Sequence, residues 1–139
     1  MKLNQARVWL GGIAGGVVWT VWSFFIGMKQ GPYYEAMQKQ GLFLKEARYP
    51  FFAGQWILLI FVMSIILAYL YAWSRNTAGP GPKTALKLGI LVGFCAGFPG
   101  NFAQATWSPI PRELPLGWML DMWIGMILAS LVAGYLYKE

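Results

Sequence analysis

Four long apolar windows, separated by shorter polar segments, dominate the pattern of hydrophobic and polar positions along the chain. Residues 8–28, 51–73 and 88–107 carry no charged side chain, and residues 116–137 carry only Asp121. Each window holds about 20 residues or more, enough to cross a hydrocarbon core of about 30 Å as a helix. We therefore expect an all-α integral membrane protein, a four-transmembrane-helix bundle. It would form one transmembrane domain over residues 1–139, with helices at about 6–29, 51–74, 85–107 and 116–137.

Small residues recur at four-residue spacing within these windows. The first window contains two overlapping G-x-x-x-G pairs, and the third and fourth continue the pattern. Residues four apart share one helix face, and a face without large side chains lets another helix approach closely. The residues predicted to serve helix packing are Gly11, Gly12, Gly15, Gly16, Gly89, Gly93, Gly97, Gly125 and Ala129.

Two prolines predict departures from simple helices. Pro99-Gly100 predicts that the third helix is broken, which a membrane tolerates only against protein or a wet cavity. After the first window, Pro32 and Gly41 fit the first turn and the end of a short helix. Residues 32–40 are therefore predicted as an interfacial helix, with an irregular hydrated loop as the alternative.

The second and fourth windows end alike, which indicates an internal repeat. Residues 64–71 align with residues 130–137, both beginning with Ser and ending Tyr-Leu-Tyr, and Gly11 and Gly15 align with Gly89 and Gly93. A duplication would give two helical hairpins in the same orientation, related by an axis along the membrane normal. Chance similarity between apolar segments is the alternative.

The charges indicate a membrane surface as the polar counterpart of this chain. Lys and Arg number 11 against 5 acidic residues, a net charge of +6, and they lie in the flanks and connections of the windows. Membrane lipids with anionic headgroups are the expected partners, and nucleic acid is not. The first window is too long for the core of a signal peptide and is predicted to remain as an anchor.

The distribution of basic residues also predicts an orientation. The first flank, the second connection and the last flank carry Lys2, Arg7, Arg75, Lys83, Lys87 and Lys138. The first and third connections carry Lys29, Lys39, Lys45, Arg48 and Arg112, spread over a longer stretch. Because basic flanks favour the cytoplasmic side, the N- and C-termini are both predicted to be cytoplasmic.

The chain lacks the side chains on which most membrane enzymes depend. It has no histidine, and Cys95 is its only cysteine. Histidine is the commonest ligand of haem iron and catalytic zinc, and a lone thiol in an apolar window behaves as a small hydrophobe. We therefore expect no catalytic residue, no metal and no cofactor, and a protein that is not an enzyme.

One set of polar residues falls toward a single face of the predicted bundle. Asp121 is the only ionisable residue inside a window other than tyrosine and Cys95, and such a group at membrane depth is a functional candidate. Its expected partner is Gln104 or Asn101. The candidate cluster is Asp121, Asn101, Gln104, Gln55 and Arg112. A structural role is the alternative, because the helix dipole favours a carboxylate in the first turns, at headgroup level.

Tryptophans concentrate toward the same face. Six of the eight are predicted to form an interfacial aromatic belt: Trp19, Trp22, Trp56, Trp107, Trp118 and Trp123. A belt of this kind is ordinary in membrane proteins, but a tryptophan-rich face can also form a lipid or quinone pocket.

Two short motifs and one helix pattern resemble a family of small bacterial four-helix membrane proteins of unknown function. The motifs are the run from Gly79 to Ala85, Gly-Pro-Gly-Pro-Lys-Thr-Ala, and the ending Ala-Gly-Tyr-Leu-Tyr-Lys-Glu at residues 133–139. The pattern is the Leu-Gly-Gly-x-x-Gly-Gly step from Leu10 to Gly16. The resemblance implies a bacterial cytoplasmic (inner) membrane protein with four helices, and it implies no activity.

Three functions remain open at this point. The first is an accessory subunit that packs its small-residue faces against a larger membrane complex or against itself. The second is a small oligomeric transporter or channel that uses Asp121 and the broken third helix. The third is a protein that binds lipid or quinone on its tryptophan-rich face.

Overall fold

The chain forms four long α-helices joined by three connections. The computed structural model describes residues 3–138, except for the side chain of Ala53, so Lys2 of the orientation argument lies outside the described residues. The helices are α1 (Gln5–Lys39), α2 (Phe52–Ala78), α3 (Pro82–Trp107) and α4 (Glu113–Leu136). All four are long and apolar enough to span a membrane, and residues 3–138 contain no β-strand. The predicted all-α fold with four such helices is confirmed.

Helix α4 is the centre of the arrangement. It contacts each of the other helices, as α2 also does, and its contacts with α3 and α1 are the most extensive, whereas α1 and α3 make no contact with each other within the described residues. Successive helices run antiparallel, so Asn4 meets Tyr137 at one end and Gln30 meets Leu114 toward the other. We call the end with Asn4 and Tyr137 the tyrosine end. The opposite end, with the connections at 40–51 and 108–112, is the loop end.

Helix α1 is one continuous helix of 35 residues, so the separate interfacial helix predicted at 32–40 is wrong. Pro32 lies in its interior, where a proline costs about 3 kcal/mol. Contacts made beyond the proline offset this cost. Tyr34 accepts a hydrogen bond from the Trp118 indole, and Met37 is buried. Tertiary packing therefore extends the helix past a residue that sequence rules treat as a boundary.

Helix α3 is also continuous, so the predicted break at Pro99-Gly100 is wrong. A row of stacked rings runs along the helix past the proline. The centroids of Phe94 and Phe98 are 4.9 Å apart, and those of Phe98 and Phe102 are 5.0 Å apart. Trp123 of α4 meets the first two rings edge-on. These contacts between successive turns stabilise the helical course on both sides of the missing N–H.

Two predicted helix starts differ from the structure where a proline opens a helix. Helix α3 starts at Pro82 rather than residue 85, and α4 starts at Glu113 rather than 116, with Pro115 in its first turn. First-turn N–H groups have no partner within the helix, so a proline there loses nothing. At the other ends, Gly41 after α1 and Gly79 after α2 have φ of +76° and +87°, which favours glycine.

The glycines of the predicted packing stripes lie where helices approach one another. A Cβ added to Gly11 would lie 3.0 Å from the Cα of Ala133, and one added to Gly15 would lie 2.9 Å from the carbonyl oxygen of Ala129. The other stripe glycines meet α2 or α4 equally closely: Gly12, Gly16, Gly89, Gly93 and Gly97. The stripes are therefore occupied by neighbouring helices of the same chain.

The tyrosine end is held together by two buried tyrosines. The rings of Tyr71 and Tyr137 pack edge to face with centroids 6.2 Å apart. The Tyr71 hydroxyl accepts a hydrogen bond from the Gly81 N–H at 3.0 Å, and the Tyr137 hydroxyl accepts one from the Asn4 N–H at 3.2 Å. These tyrosines are equivalent positions of the sequence repeat, and the repeat itself stays a prediction.

Candidate functional site

A cavity of about 890 Å³ lies between the helices toward the loop end. All four helices contribute to its wall, together with the connection between α1 and α2. The wall is rich in aromatic side chains: Phe24, Tyr34, Phe43, Phe52, Trp56 and Trp118. We call this space the Asp121 cavity, because Asp121 is the only acidic side chain that the described residues contribute to its wall.

Asp121 is buried, with 6% of its surface exposed. It follows Glu113, the first residue of α4, by eight positions (121 − 113), which places it about 12 Å along the helix at 1.5 Å per residue. The sequence-predicted start at residue 116 placed it about five residues, or about 7–8 Å, along the helix. Asp121 therefore lies farther from the start of α4 than the sequence indicated, and it is enclosed by other helices.

Two side chains of α1 donate hydrogen bonds to the Asp121 carboxylate. The Trp19 indole Nε1 donates to Oδ1 at 3.0 Å, and the Ser23 hydroxyl donates to Oδ2 at 2.7 Å. The Trp56 indole of α2 donates in turn to the Ser23 Oγ at 3.1 Å. This network joins α1, α2 and α4 and fixes the orientation of the carboxylate. Each carboxylate oxygen keeps a lone pair for a further donor.

No basic side chain of the described residues forms an ion pair with Asp121. Among residues 3–138, no Lys or Arg nitrogen is recorded within 4.0 Å of its carboxylate, and no Lys or Arg contributes to the cavity wall. A buried charge without a partner of opposite sign is costly, and such groups take up a proton or bind a cation. The cavity therefore has a wall that can bind a positive charge, next to aromatic rings.

The predicted partners of Asp121 are wrong, because its hydrogen bonds come from α1 and not from α3. The Asn101 side chain donates to the Gly97 carbonyl of its own helix at 2.8 Å, although Asn101 also lines the Asp121 cavity. Gln104 pairs with Ser108 and lines an adjoining hollow of about 620 Å³, which shares part of its wall with the Asp121 cavity. That hollow also contains Asn101.

The remaining two members of the predicted cluster lie outside the cavity wall. Gln55 is exposed near the start of α2. Arg112 is exposed before α4, with its Nε 4.0 Å from a carboxylate oxygen of Glu113. Of the predicted cluster, only Asp121 and Asn101 line the Asp121 cavity.

The six tryptophans predicted as an interfacial belt have different environments. Trp19 is fully buried, so its assignment to a belt is wrong. Its ring packs against Gly125, where an added Cβ would lie 2.1 Å from Nε1. Trp56 and Trp118 line the cavity, whereas Trp107 is 87% exposed. The indoles of Trp22 and Trp123 donate to backbone carbonyls of the neighbouring helices.

A polar stripe on α1 supplies the part of the site that sequence reasoning missed. Its members recur at alternating spacings of three and four residues, which is one helix face. They are Thr20, Ser23, Gly27, Gln30 and Tyr34, and all of them line the cavity. The signal was present in the sequence. It was hidden because the first helix was expected to end near residue 29.

Gln30 anchors the outer part of this stripe to α4. Its side-chain Nε2 donates to the Leu114 carbonyl at 2.9 Å and to the Glu113 carbonyl at 3.2 Å. Gly117 makes room for it, since an added Cβ there would lie 2.0 Å from the same nitrogen. The contact fixes the distance between α1 and α4 on the loop-end side of Asp121.

The described residues contain no group of three or more His, Cys, Asp or Glu side chains that could hold a metal ion. The chemistry that the site offers is thus a single carboxylate, hydroxyl and amide groups, and aromatic faces. Comparison of the chain with families of proteins, with curated proteins and with solved structures finds no match.

Proposed function

We propose that this chain is a small multi-pass membrane protein that binds an amphipathic small molecule between its helices, in the Asp121 cavity. One observation carries the proposal: a buried carboxylate forms part of the wall of an aromatic cavity of about 890 Å³. Pockets for small molecules typically measure about 300–1,000 Å³ and combine apolar walls with a few placed polar groups. The cavity has this size and this composition.

The alternatives that were open from the sequence differ in what supports them. Transport would use the same cavity, with Asp121 as the binding group but without a broken third helix. The accessory-subunit interpretation depended on small-residue faces free to meet a partner, and these glycines contact helices of the same chain. Binding in the cavity is the step that transport and lipid or quinone recognition share. It is therefore the function with the most direct support.

The setting of this function is also part of the proposal. The four apolar helices support a multi-pass membrane protein. The resemblance given above implies a bacterial cytoplasmic membrane, and the basic flanks favour both termini on the cytoplasmic side. The tyrosine end would then face the cytoplasm, and the Asp121 cavity would lie toward the other side of the membrane. Chemistry on the ligand is not part of the proposal, and we propose binding without catalysis.

Photolabelling tests the proposal. The protein in lipid nanodiscs is irradiated with probes that share a trifluoromethylphenyl diazirine and a short alkyl chain and differ in the head group: hydroxyl, sulfonate or trimethylammonium. We expect at least one probe to label residues of the cavity wall in a saturable manner, as located by mass spectrometry. Labelling confined to the outer faces of the helices with every probe would refute binding in the cavity.

Two glycine substitutions provide the matched control. Gly27 lies in the cavity wall with no atom within 4 Å of an added Cβ, so Gly27→Leu places a side chain in the cavity. We expect it to weaken labelling of the wall about tenfold, or about 1.4 kcal/mol of binding free energy. Gly54 is exposed in α2, outside the wall, and also has no neighbour within 4 Å of a Cβ. Gly54→Leu should leave the labelling unchanged.

A further inference from the structure

We infer that the molecule bound in the Asp121 cavity is a lipophilic organic cation, such as an alkyl-substituted quaternary ammonium or a protonated amine. The inference rests on the proposed function and names its ligand class. Its basis is the juxtaposition of a carboxylate that lacks a basic partner with the aromatic rings of the same wall.

The charge of the wall favours a cation over an anion or a neutral molecule. Asp121 contributes a carboxylate, and the wall contains no Lys or Arg among the described residues. Its hydrogen bonds come from an indole and a hydroxyl, which orient the carboxylate but do not balance its charge. A bound cation would supply the missing charge, whereas an anion would be repelled at close range.

The charge of the whole chain acts in the opposite direction. The net charge is +6, and the basic residues lie in the flanks and connections, where they favour anions at the surface. Glu113, on the same helix, is exposed and lies beside Arg112. A preference for cationic probes therefore has to come from the cavity itself. Such a preference would report on the Asp121 carboxylate and not on the surface charge.

The aromatic wall selects an organic cation over a metal ion. The rings of Trp56, Trp118 and Tyr34 line the same space as the carboxylate. Faces of aromatic rings attract quaternary ammonium groups. Calcium, by contrast, takes about 6–8 oxygen ligands, and magnesium requires a near-octahedral set. The wall offers one carboxylate with a few neutral oxygens and is too wide for either ion.

The three probes of the photolabelling experiment measure the head-group preference directly on the unmodified protein. We expect the trimethylammonium probe to label the cavity wall at about one tenth of the concentration that the hydroxyl probe needs, and the sulfonate probe to label it least. Equal labelling by the hydroxyl and trimethylammonium probes would refute the cationic ligand and leave the proposed function intact. Absence of wall labelling with all three would refute the proposed function itself.

Two carboxylate variants then locate the source of the preference. Asp121→Asn keeps the size of the side chain and removes its charge, so the about tenfold preference for trimethylammonium should disappear while hydroxyl-probe labelling persists. Glu113→Gln removes one negative charge from the same helix outside the cavity and should leave the preference unchanged. Persistent labelling by the hydroxyl probe reports that Asp121→Asn is folded. A preference that survives Asp121→Asn, or that Glu113→Gln removes, would contradict the assignment to Asp121.

Discussion

The two ends of the bundle are built from the same helices but differ in how closely these helices pack. Toward the tyrosine end, Gly11 and Gly15 bring α1 against α4, and Tyr71 and Tyr137 close the remaining space. Toward the loop end, the helices border a cavity of about 890 Å³ lined by large aromatic side chains. The difference shows how one helix can pack closely along one half of its length and border a cavity along the other.

The change from packed to open occurs within α1. Its glycines from 11 to 16 have no room for a side chain, whereas Gly27 has no neighbour within 4 Å of an added Cβ. Between them lies Trp19, which fills the space beside Gly125 and donates to Asp121. Close packing at the tyrosine end and the Gln30 contact toward the loop end both hold α1 against α4, and the cavity lies beside this pair. Stability and binding are therefore expected to respond to different substitutions.

The largest contrast is expected between leucine substitutions at the two kinds of glycine. In Gly15→Leu the new Cβ would lie 2.6 Å from the Ser64 Oγ and 2.9 Å from the Ala129 carbonyl oxygen, so two helices have to move. We expect a loss of about 3 kcal/mol or more in the free energy of unfolding. For Gly27→Leu we expect a change within about 1 kcal/mol, because leucine is a better helix former than glycine and the space is open. Reversible unfolding in mixed micelles, followed by circular dichroism, measures both.

The outcome also tests the distinction between the two ends. Similar losses for Gly15→Leu and Gly27→Leu would mean that the loop end is as tightly packed as the tyrosine end, and the cavity would then not be open in the protein. A small effect of Gly15→Leu would mean that α1 and α4 are farther apart than the structure indicates.

The helices could be predicted from the sequence because apolar length along the chain determines them. The uninterrupted course of α1 and α3 past their internal prolines could not be predicted in this way. Pro32 and Pro99 are local signals for a boundary, and each is overridden by contacts that bring in a distant segment. The Trp118 indole donates a hydrogen bond to Tyr34 beyond the first proline, and Trp123 packs on Phe98, directly before the second. These contacts depend on which helices become neighbours, and local sequence patterns do not determine which helices these are.

The candidate site could also be predicted only in part, because Asp121 is visible along the sequence but its partners are not. Asp121 stands out as the only acidic residue in an apolar window. Its partners depend on which helix faces it, and the sequence-based choice of α3 was wrong because α1 supplies Trp19 and Ser23. Ser23 belongs to a stripe with helical spacing that becomes visible only when α1 is read through Pro32.

A smaller effect on the free energy of unfolding is expected for a substitution at Trp19, which lies between the two ends. In Trp19→Phe the hydrogen bond to the Asp121 carboxylate is lost, and a bond to a charged acceptor contributes about 1.5–3 kcal/mol. Because the smaller ring also leaves a gap beside Gly125, we expect a loss of at least about 2 kcal/mol in the free energy of unfolding, measured in the same assay. Trp22→Phe is the matched control, because the Trp22 indole donates to the neutral Leu120 carbonyl at 3.1 Å in a half-buried setting. Its loss should stay near or below about 1 kcal/mol. Equal losses would show that Asp121 does not act as a charged acceptor.

The smallest difference in stability is expected between variants that remove one tyrosine hydroxyl group at each end. Tyr71→Phe deprives the Gly81 N–H of its acceptor in the short connection between α2 and α3, and we expect a loss of about 1 kcal/mol in the free energy of unfolding. Tyr34→Phe deprives the Trp118 indole of its acceptor, but this group borders the cavity, where water can replace the lost partner. We expect about 0.5 kcal/mol or less for Tyr34→Phe. A larger loss for Tyr34→Phe than for Tyr71→Phe would mean that the loop end, and not the tyrosine end, determines how the helices are held.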